Sequence, residues 1–204
     1  MKLKVCGMKY TDNMKAVAAL QPDFMGFIFY NKSSRNFDSH IPSLPKTIKK
    51  VGVFVDAPID QIKQLIKTHS LDMIQLHGKE SPEYCNEFIG IEIIKVFSIK
   101  DSFDFNTLIP YEAVCDYYLF DTKGQLPGGN GYTFNWDILK EYPSTKPYFL
   151  SGGIGLEELE KVMAFIKTPY SKYCYAIDVN SKFELQPGLK NTDELEKFRY
   201  ELQR

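Results

Sequence analysis

The sequence predicts an α/β protein: a small, single-domain (β/α)8 (TIM) barrel over residues 1–204, with lean loops. Two observations carry this expectation. Eight strand-length apolar runs, rich in Val, Ile, Phe and Tyr, start roughly 20 to 30 residues apart, the length of one strand-loop-helix unit. Several of the gaps between them carry amphipathic helical patterns. Strict alternation calls for parallel strands with right-handed crossovers, and eight units suit closure into a barrel. An open doubly wound sheet is the structural alternative.

In chain order the runs are LKVCG at 3–7, DFMGFIF at 23–29, KVGVFV at 50–55 and DMIQLH at 72–77, then IEIIKVF at 91–97, YYLFDT at 117–122, PYFLSGG at 147–153 and CYAIDV at 174–179. The polar segment after Gly7 reads as a helix start. PIDQIKQLIKTH puts Ile59, Ile62, Leu65 and Ile66 on one face, with Pro58 suited to a first helical position. SPEYCNEF opens with Ser81 as N-cap and Pro82 behind it. GLEELEKVMAFIK aligns Leu156, Leu159, Val162, Met163 and Ile166. In TDELEKFRYELQ, Thr192 suits the cap, and Leu195, Phe198 and Leu202 face inward. Prolines interrupt 39–47 and 101–115, so short or irregular helices are expected there.

The 204 residues suffice for one well-buried core, and no linker divides them. A net charge of −1 argues against a nucleic-acid partner or an acidic membrane surface. No run is long enough to span a membrane, and MKLKVCG lacks the apolar core of a signal peptide. The four cysteines are scattered without metal spacing, which suits reduced thiols in the cytoplasm. A monomer is the plain expectation at this size and polarity.

In such a barrel the chemistry sits at the C-terminal ends of the strands, which selects Cys6, His77, Asp121, Gly152, Gly153 and Asp178. A lone strand cysteine is ordinarily a small buried hydrophobe. Lys4, two residues earlier and on the same face, offers a charge that with nearby helix N-termini favours a thiolate, and it needs a carboxylate partner if buried. Asp121 ends an apolar run and is either a cap or ion-pair member, with Lys4 or Lys123, or a buried general acid beside a second carboxylate such as Asp178. The KGQLPGGNG segment behind it suits a backbone that closes over a ligand.

LSGGIGLEEL reads as strand, Gly-Gly, helix: a tight turn, or an anion site in which Gly152 and Gly153 admit a phosphate and Asn180 and Ser181 add donors. Lys32 and Arg35 follow the second run as a solvated loop or, for Arg35, as a guanidinium gripping a carboxylate. His77 suits a ligand contact or a polar cap on the core.

The segments KVCGMK, GFIFYNKSSR, VGVFVD, IQLHG, FDTKG…GGNGYTFNW, FLSGGI and AIDVNSKFE…PGLKN, in this order, resemble the phosphoribosylanthranilate isomerase family of tryptophan biosynthesis, from residue 3 to about 191. The resemblance implies an Amadori rearrangement of N-(5-phosphoribosyl)anthranilate to 1-(2-carboxyphenylamino)-1-deoxyribulose 5-phosphate, without metal or organic cofactor. Cys6 is implied as general base and Asp121 as general acid. It further implies Arg35 at the anthranilate carboxylate and Gly152, Gly153, Asn180 and Ser181 at the phosphate. Lys4, His77 and Asp178 complete the substrate-binding set, with Asp178 positioning the sugar or pairing with Lys4. Gly7 is expected to leave room for substrate and turn.

The chain departs from the family pattern at Asn31, where Pro is common, and at Asn180, Ser181 and Lys182, where two serines and a glycine are common. It departs again at 125–127 (QLP) and at Asn130. A metal-dependent pentose-phosphate epimerase needs a His/Asp metal site, and only His77 is near a strand end. Indole-glycerol-phosphate synthase needs paired Lys and Glu at strand ends, which the sequence does not suggest. The alternative from another class is a non-catalytic phosphosugar-binding barrel acting as a regulator, in which the Cys/Asp pair has no reason to persist.

Overall fold

In the computed structural model, which describes residues 1–122 and 133–204, eight parallel strands close into a barrel. They are β1 (Lys2–Val5), β2 (Phe24–Ile28), β3 (Lys49–Phe54), β4 (Met73–Leu76), β5 (Glu92–Ile99), β6 (Tyr117–Thr122), β7 (Tyr148–Leu150) and β8 (Cys174–Val179). Each pairs with its sequence neighbour, and β1 closes on β8 with Lys4 opposite Asp178. All eight expected runs are strands.

The helices are α1 (Thr11–Ala19), α2 (Ile59–His69), α3 (Pro82–Cys85), α4 (Leu159–Ile166) and α5 (Thr192–Gln203). Ser81 caps α3, accepting from Tyr84 N at 3.2 Å, with Pro82 in the first turn. Two cap expectations shift by one residue. Pro58 stands at the N-cap of α2, not inside it, so its fixed φ aims the chain and its missing N–H costs nothing. Asn191 caps α5 in place of Thr192, because its Oδ1 reaches Glu194 N at 3.4 Å. The segment before α4 begins as a 3-10 turn at Leu156–Glu158, and Phe165 joins Val162 as its buried face. A 3-10 helix at Phe105–Tyr111 holds Pro110, and 39–47 contains no helix, as the prolines lead one to expect. A two-stranded antiparallel ribbon, β9 (Glu184–Gln186) with β10 (Leu189–Lys190), was not foreseen. No described helix is long and apolar enough to cross a membrane.

Period-two alternation then builds the site. Phe24, Val51, Met73, Ile94, Val96, Leu119, Phe149 and Ala176 fill the barrel interior as one apolar cluster. Two residues further along four of those strands, the inward positions turn polar: Met73 gives way to Gln75, Leu119 to Asp121, Phe149 to Ser151 and Ala176 to Asp178. The apolar plug thus ends in a polar layer at the C-terminal mouth. A larger apolar shell between barrel and helices, including Val17, Ile62, Tyr118, Tyr148, Val162 and Phe198, holds the strands in place.

Candidate active site

Cys6 lies one residue past β1, where its backbone N–H donates to Val179 O at 2.9 Å. Gly26 on β2 makes room for the thiol, since a Cβ there would stand 2.7 Å from Sγ. Gly7, with φ +74°, makes room for protein and not for substrate: a Cβ would meet Asn180 Oδ1 at 2.6 Å and Arg35 Cδ at 3.0 Å. Cys6, Gln75, His77, Asp121, Ser151 and Asp178 form the floor of one cleft. Its walls come from Tyr30, Ser33 and Arg35 on one side and from Gly152, Gly153, Asn180, Ser181 and Lys182 on the other. The cleft holds about 720 Å³, counting its open mouth.

Lys4 is fully buried and lies under this floor, not on it. It is therefore no direct substrate contact. Its ammonium donates to Asp178 Oδ1 at 2.9 Å and to Gln75 Oε1 at 2.8 Å. Ser151 Oγ donates to the other Asp178 oxygen at 3.1 Å. Burial pushes the Asp178 carboxyl up from its ordinary value, against Lys4, which pulls it down. Burial likewise pushes the Cys6 thiol up, outweighing Lys4 and Lys190. Lys4 pulls the sulfur toward the thiolate, but burial outweighs that pull.

One chain of hydrogen bonds orients His77. Lys4 only donates, so Gln75 turns its oxygen to Lys4 and its amide nitrogen to His77 Nδ1, 3.2 Å away. In the neutral ring Nδ1 then accepts and the proton sits on Nε2. That nitrogen is buried, 3.4 Å from Asp121 Oδ2, and has no hydrogen bond among the described residues, which leaves it a donor facing Asp121. Asp121 Oδ1 accepts from Thr122 N at 2.9 Å.

Gly152 and Gly153 have φ of +93° and +67°, conformations that suit glycine. The Gly155 N–H behind them is already taken by Glu158 Oε2 at 2.8 Å. Asn180 turns its side-chain oxygen to Lys190 Nζ at 2.7 Å. Arg35 reaches the cleft, but its Nε and Nη2 fork onto Glu184 at 2.7–2.9 Å. Lys32 is exposed and outside the cleft, a solvated loop residue. The glycine-rich segment expected to close over a ligand, residues 123–131, lies outside the described residues.

Sequence reasoning missed Gln75, Ser151, Glu184 and Lys190. Three of these had a signal: Gln75 shares the inward phase of Met73 and His77, and Glu184 and Lys190 are charged residues within the AIDVNSKFE…PGLKN stretch. A buried Lys–Glu pair does exist, Lys95 Nζ to Glu80 Oε2 at 3.0 Å, but it is outside the cleft. Lys95 alternates with the inward Ile94 and Val96 and so points to the helical shell.

A cleft with a thiol, a carboxyl, an imidazole, a guanidinium and a glycine-lined wall can bind a dianion and a carboxylate and offers groups that give and take protons. The family described as N-(5'phosphoribosyl)anthranilate (PRA) isomerase matches residues 3–200. The N-(5'-phosphoribosyl)anthranilate isomerase of Parabacteroides distasonis is 42% identical over 97% of this chain and 91% of its own. That of Phocaeicola vulgatus is 41% identical over 94% and 92%. The crystal structure of phosphoribosyl anthranilate isomerase from Thermotoga maritima superposes with a TM-score of 0.85 at 27% identity, over 100% of this chain and 98% of that one. Another, in complex with reduced 1-(o-carboxyphenylamino)-1-deoxyribulose 5-phosphate, gives 0.82 at 25% identity, over 100% and 98%.

Proposed function

The chain belongs to the N-(5'-phosphoribosyl)anthranilate isomerase family of tryptophan biosynthesis, and from that premise we propose that Cys6 is the general base and Asp121 the general acid of its Amadori rearrangement. The observation that carries this assignment is their convergence: a thiol from the start of the barrel and a carboxyl from β6 stand on one floor. The protonated Asp121 carboxyl gives its proton to the ribose ring oxygen as the C1–O bond breaks, leaving a protonated imine. The Cys6 thiolate then takes the proton from the adjacent C2, and the C–H electron pair moves to quench the imine charge. The resulting enolamine tautomerises to the ketone.

Burial keeps Cys6 a thiol in the free enzyme. The cationic imine favours the ionised form of the sulfur beside it at the moment a base is needed, the thiol proton leaving to solvent through the open cleft that Cys6 lines. His77 Nε2–H stabilises the Asp121 carboxylate that remains after proton transfer. The reduced product analogue bound by a related structure carries both a carboxylate and a phosphate. Arg35 takes the anthranilate carboxylate, and Gly152, Gly153, Asn180 and Ser181 take the phosphate. Asp178 positions the sugar from the floor.

All of this machinery comes from one chain, residues 1–204 forming one catalytic domain, so a monomer suffices. Its four free thiols suit a reducing cytoplasm. The test is turnover of freshly made phosphoribosylanthranilate, followed by loss of its fluorescence. Cys6→Ser and Asp121→Asn are each expected to lose on the order of a hundredfold or more in kcat. Variants that keep near-normal kcat would overturn the two roles and leave the reaction standing.

A further inference from the structure

Arg35 and Glu184 are 149 residues apart in sequence, yet they form the most complete ion pair at the cleft. Nε lies 2.9 Å from both carboxylate oxygens and Nη2 lies 2.7 Å from Oε2. A guanidinium has two edges that can each hold a carboxylate. Glu184 occupies the Nε/Nη2 edge. On the Nη1/Nη2 edge, Nη1 carries no hydrogen bond among the described residues and Nη2 only its bond to Glu184, and Arg35 lines the cleft.

Glu184 is the fixed member of the pair. Its Oε1 also accepts from Lys190 Nζ at 2.7 Å and from Gly188 N at 3.0 Å, both within the β9–β10 ribbon. Lys190 is in turn tied at both backbone atoms to Asn13 of α1, at 2.8 and 2.9 Å. The Glu184 side chain is 5% exposed, whereas Arg35 is 18% exposed and stands on a loop. The anchored carboxylate therefore aims the guanidinium. Lys190 joins this group to the phosphate wall, since its ammonium also donates to Asn180 Oδ1 at 2.7 Å and Asn180 O at 3.2 Å.

We propose that Glu184 is a positioning residue for substrate recognition: held by Lys190 and Gly188, it occupies one edge of Arg35 so that the other edge meets the substrate carboxylate. This rests on the reading of Arg35 as the carboxylate contact. It adds that the specificity for an ortho-carboxylate is set from the far side of the guanidinium, by a residue that does not touch substrate.

The test compares phosphoribosylanthranilate with phosphoribosylaniline, which lacks the carboxylate, in wild type, Glu184→Gln, Glu184→Asp and Arg35→Gln. Glu184→Gln is expected to raise KM for the anthranilate substrate on the order of tenfold while kcat changes little, and to leave KM for the aniline substrate unchanged. Glu184→Asp keeps the charge and serves where the Gln variant folds poorly; its shorter reach is expected to give a smaller rise with the same selectivity. If Arg35→Gln discriminates between the substrates and the folded Glu184 variants do not, Glu184 is an ordinary structural pair and the proposal is overturned. If Arg35→Gln itself affects both substrates equally, the carboxylate reading of Arg35 fails, and this proposal with it.

Discussion

Lys4 and Asp178 are register partners across the seam where β1 closes on β8, and their side chains meet inside the barrel at 2.9 Å. The closure of the fold and the electrostatics of the cleft floor therefore depend on the same pair. Lys4 is sealed beneath the floor, and Asp178 is shared between the ammonium below and the cleft above.

Removing either partner leaves the other as a buried charge, but the two losses are unequal. Without Lys4, Asp178 can take up a proton, a change that burial already favours. Without Asp178, Lys4 loses the main influence that holds its ammonium charged against burial and is left with Gln75 Oε1 and the Cys6 sulfur. Asp178→Ala is expected to cost about 3–5 kcal/mol, and Lys4→Met clearly less. Urea unfolding at pH 7 checks the order, and a Lys4→Met cost equal to or above that of Asp178→Ala would refute it.

The Cys6 thiol is expected to ionise above the usual thiol range in the free enzyme, because burial outweighs the pull of Lys4. The difference in thiolate absorbance between wild type and Cys6→Ser, followed against pH, reads this directly. Burial also pushes Cys85 up to about 11 and Cys115 and Cys174 up to about 12, so subtracting the variant isolates Cys6. The linked stability has a definite sign. A native thiol that holds its proton more tightly than the unfolded one contributes stability below the unfolded pKa, and that contribution is lost as pH rises through the native value. Wild type should therefore lose stability relative to Cys6→Ser on the alkaline side. A difference signal complete by pH 8 would be incompatible with this.

The barrel was legible because its evidence is local and repetitive. Each strand announces itself by Val, Ile and Phe, and period two places Lys4 with Cys6 and Gln75 with His77. Cys6, Asp121 and Asp178 were findable for the same reason: polar or reactive groups at the ends of apolar runs. What escaped depends on closure. Arg35 finds Glu184 across 149 residues and Lys4 finds Gln75 across 71, and no spacing rule predicts either. Adjacent capping residues are a smaller case, since Asn191 and Thr192 both suit a cap and only the backbone path to Glu194 decides.

Gly152 joins the phosphate wall to the acid's strand. At φ +93° a Cβ would sit 2.5 Å from Thr122 N, on the residue that follows Asp121. Gly152→Ala must therefore displace either its own loop or the end of β6. The variant is expected to lose stability by about 1–3 kcal/mol through the unfavourable φ and the clash. Because Thr122 N also donates to Asp121 Oδ1, kcat is expected to fall as well as phosphate affinity. A variant with raised KM and unaltered kcat would show that the wall can shift without disturbing Asp121.

The orientation of His77 follows from a cation that never touches it. Lys4 fixes the oxygen of Gln75, the Gln75 amide donates to Nδ1, and Nε2 is left to carry the ring proton toward Asp121. The expected state of the neutral ring is the Nε2–H tautomer, which imidazole nitrogen chemical shifts distinguish from Nδ1–H. In Gln75→Leu the ring loses its amide partner and Lys4 loses an acceptor, so a mixture of tautomers is expected together with a fall in kcat. Gln75→Glu reverses the logic at Nδ1 by offering an acceptor in place of a donor, and should favour Nδ1–H. That tautomer turns a lone pair instead of a proton toward the Asp121 carboxylate, so its kcat should fall below that of Gln75→Leu. If the wild-type ring already shows Nδ1–H, His77 cannot be a donor to Asp121, and its place in the proton transfer must be rewritten.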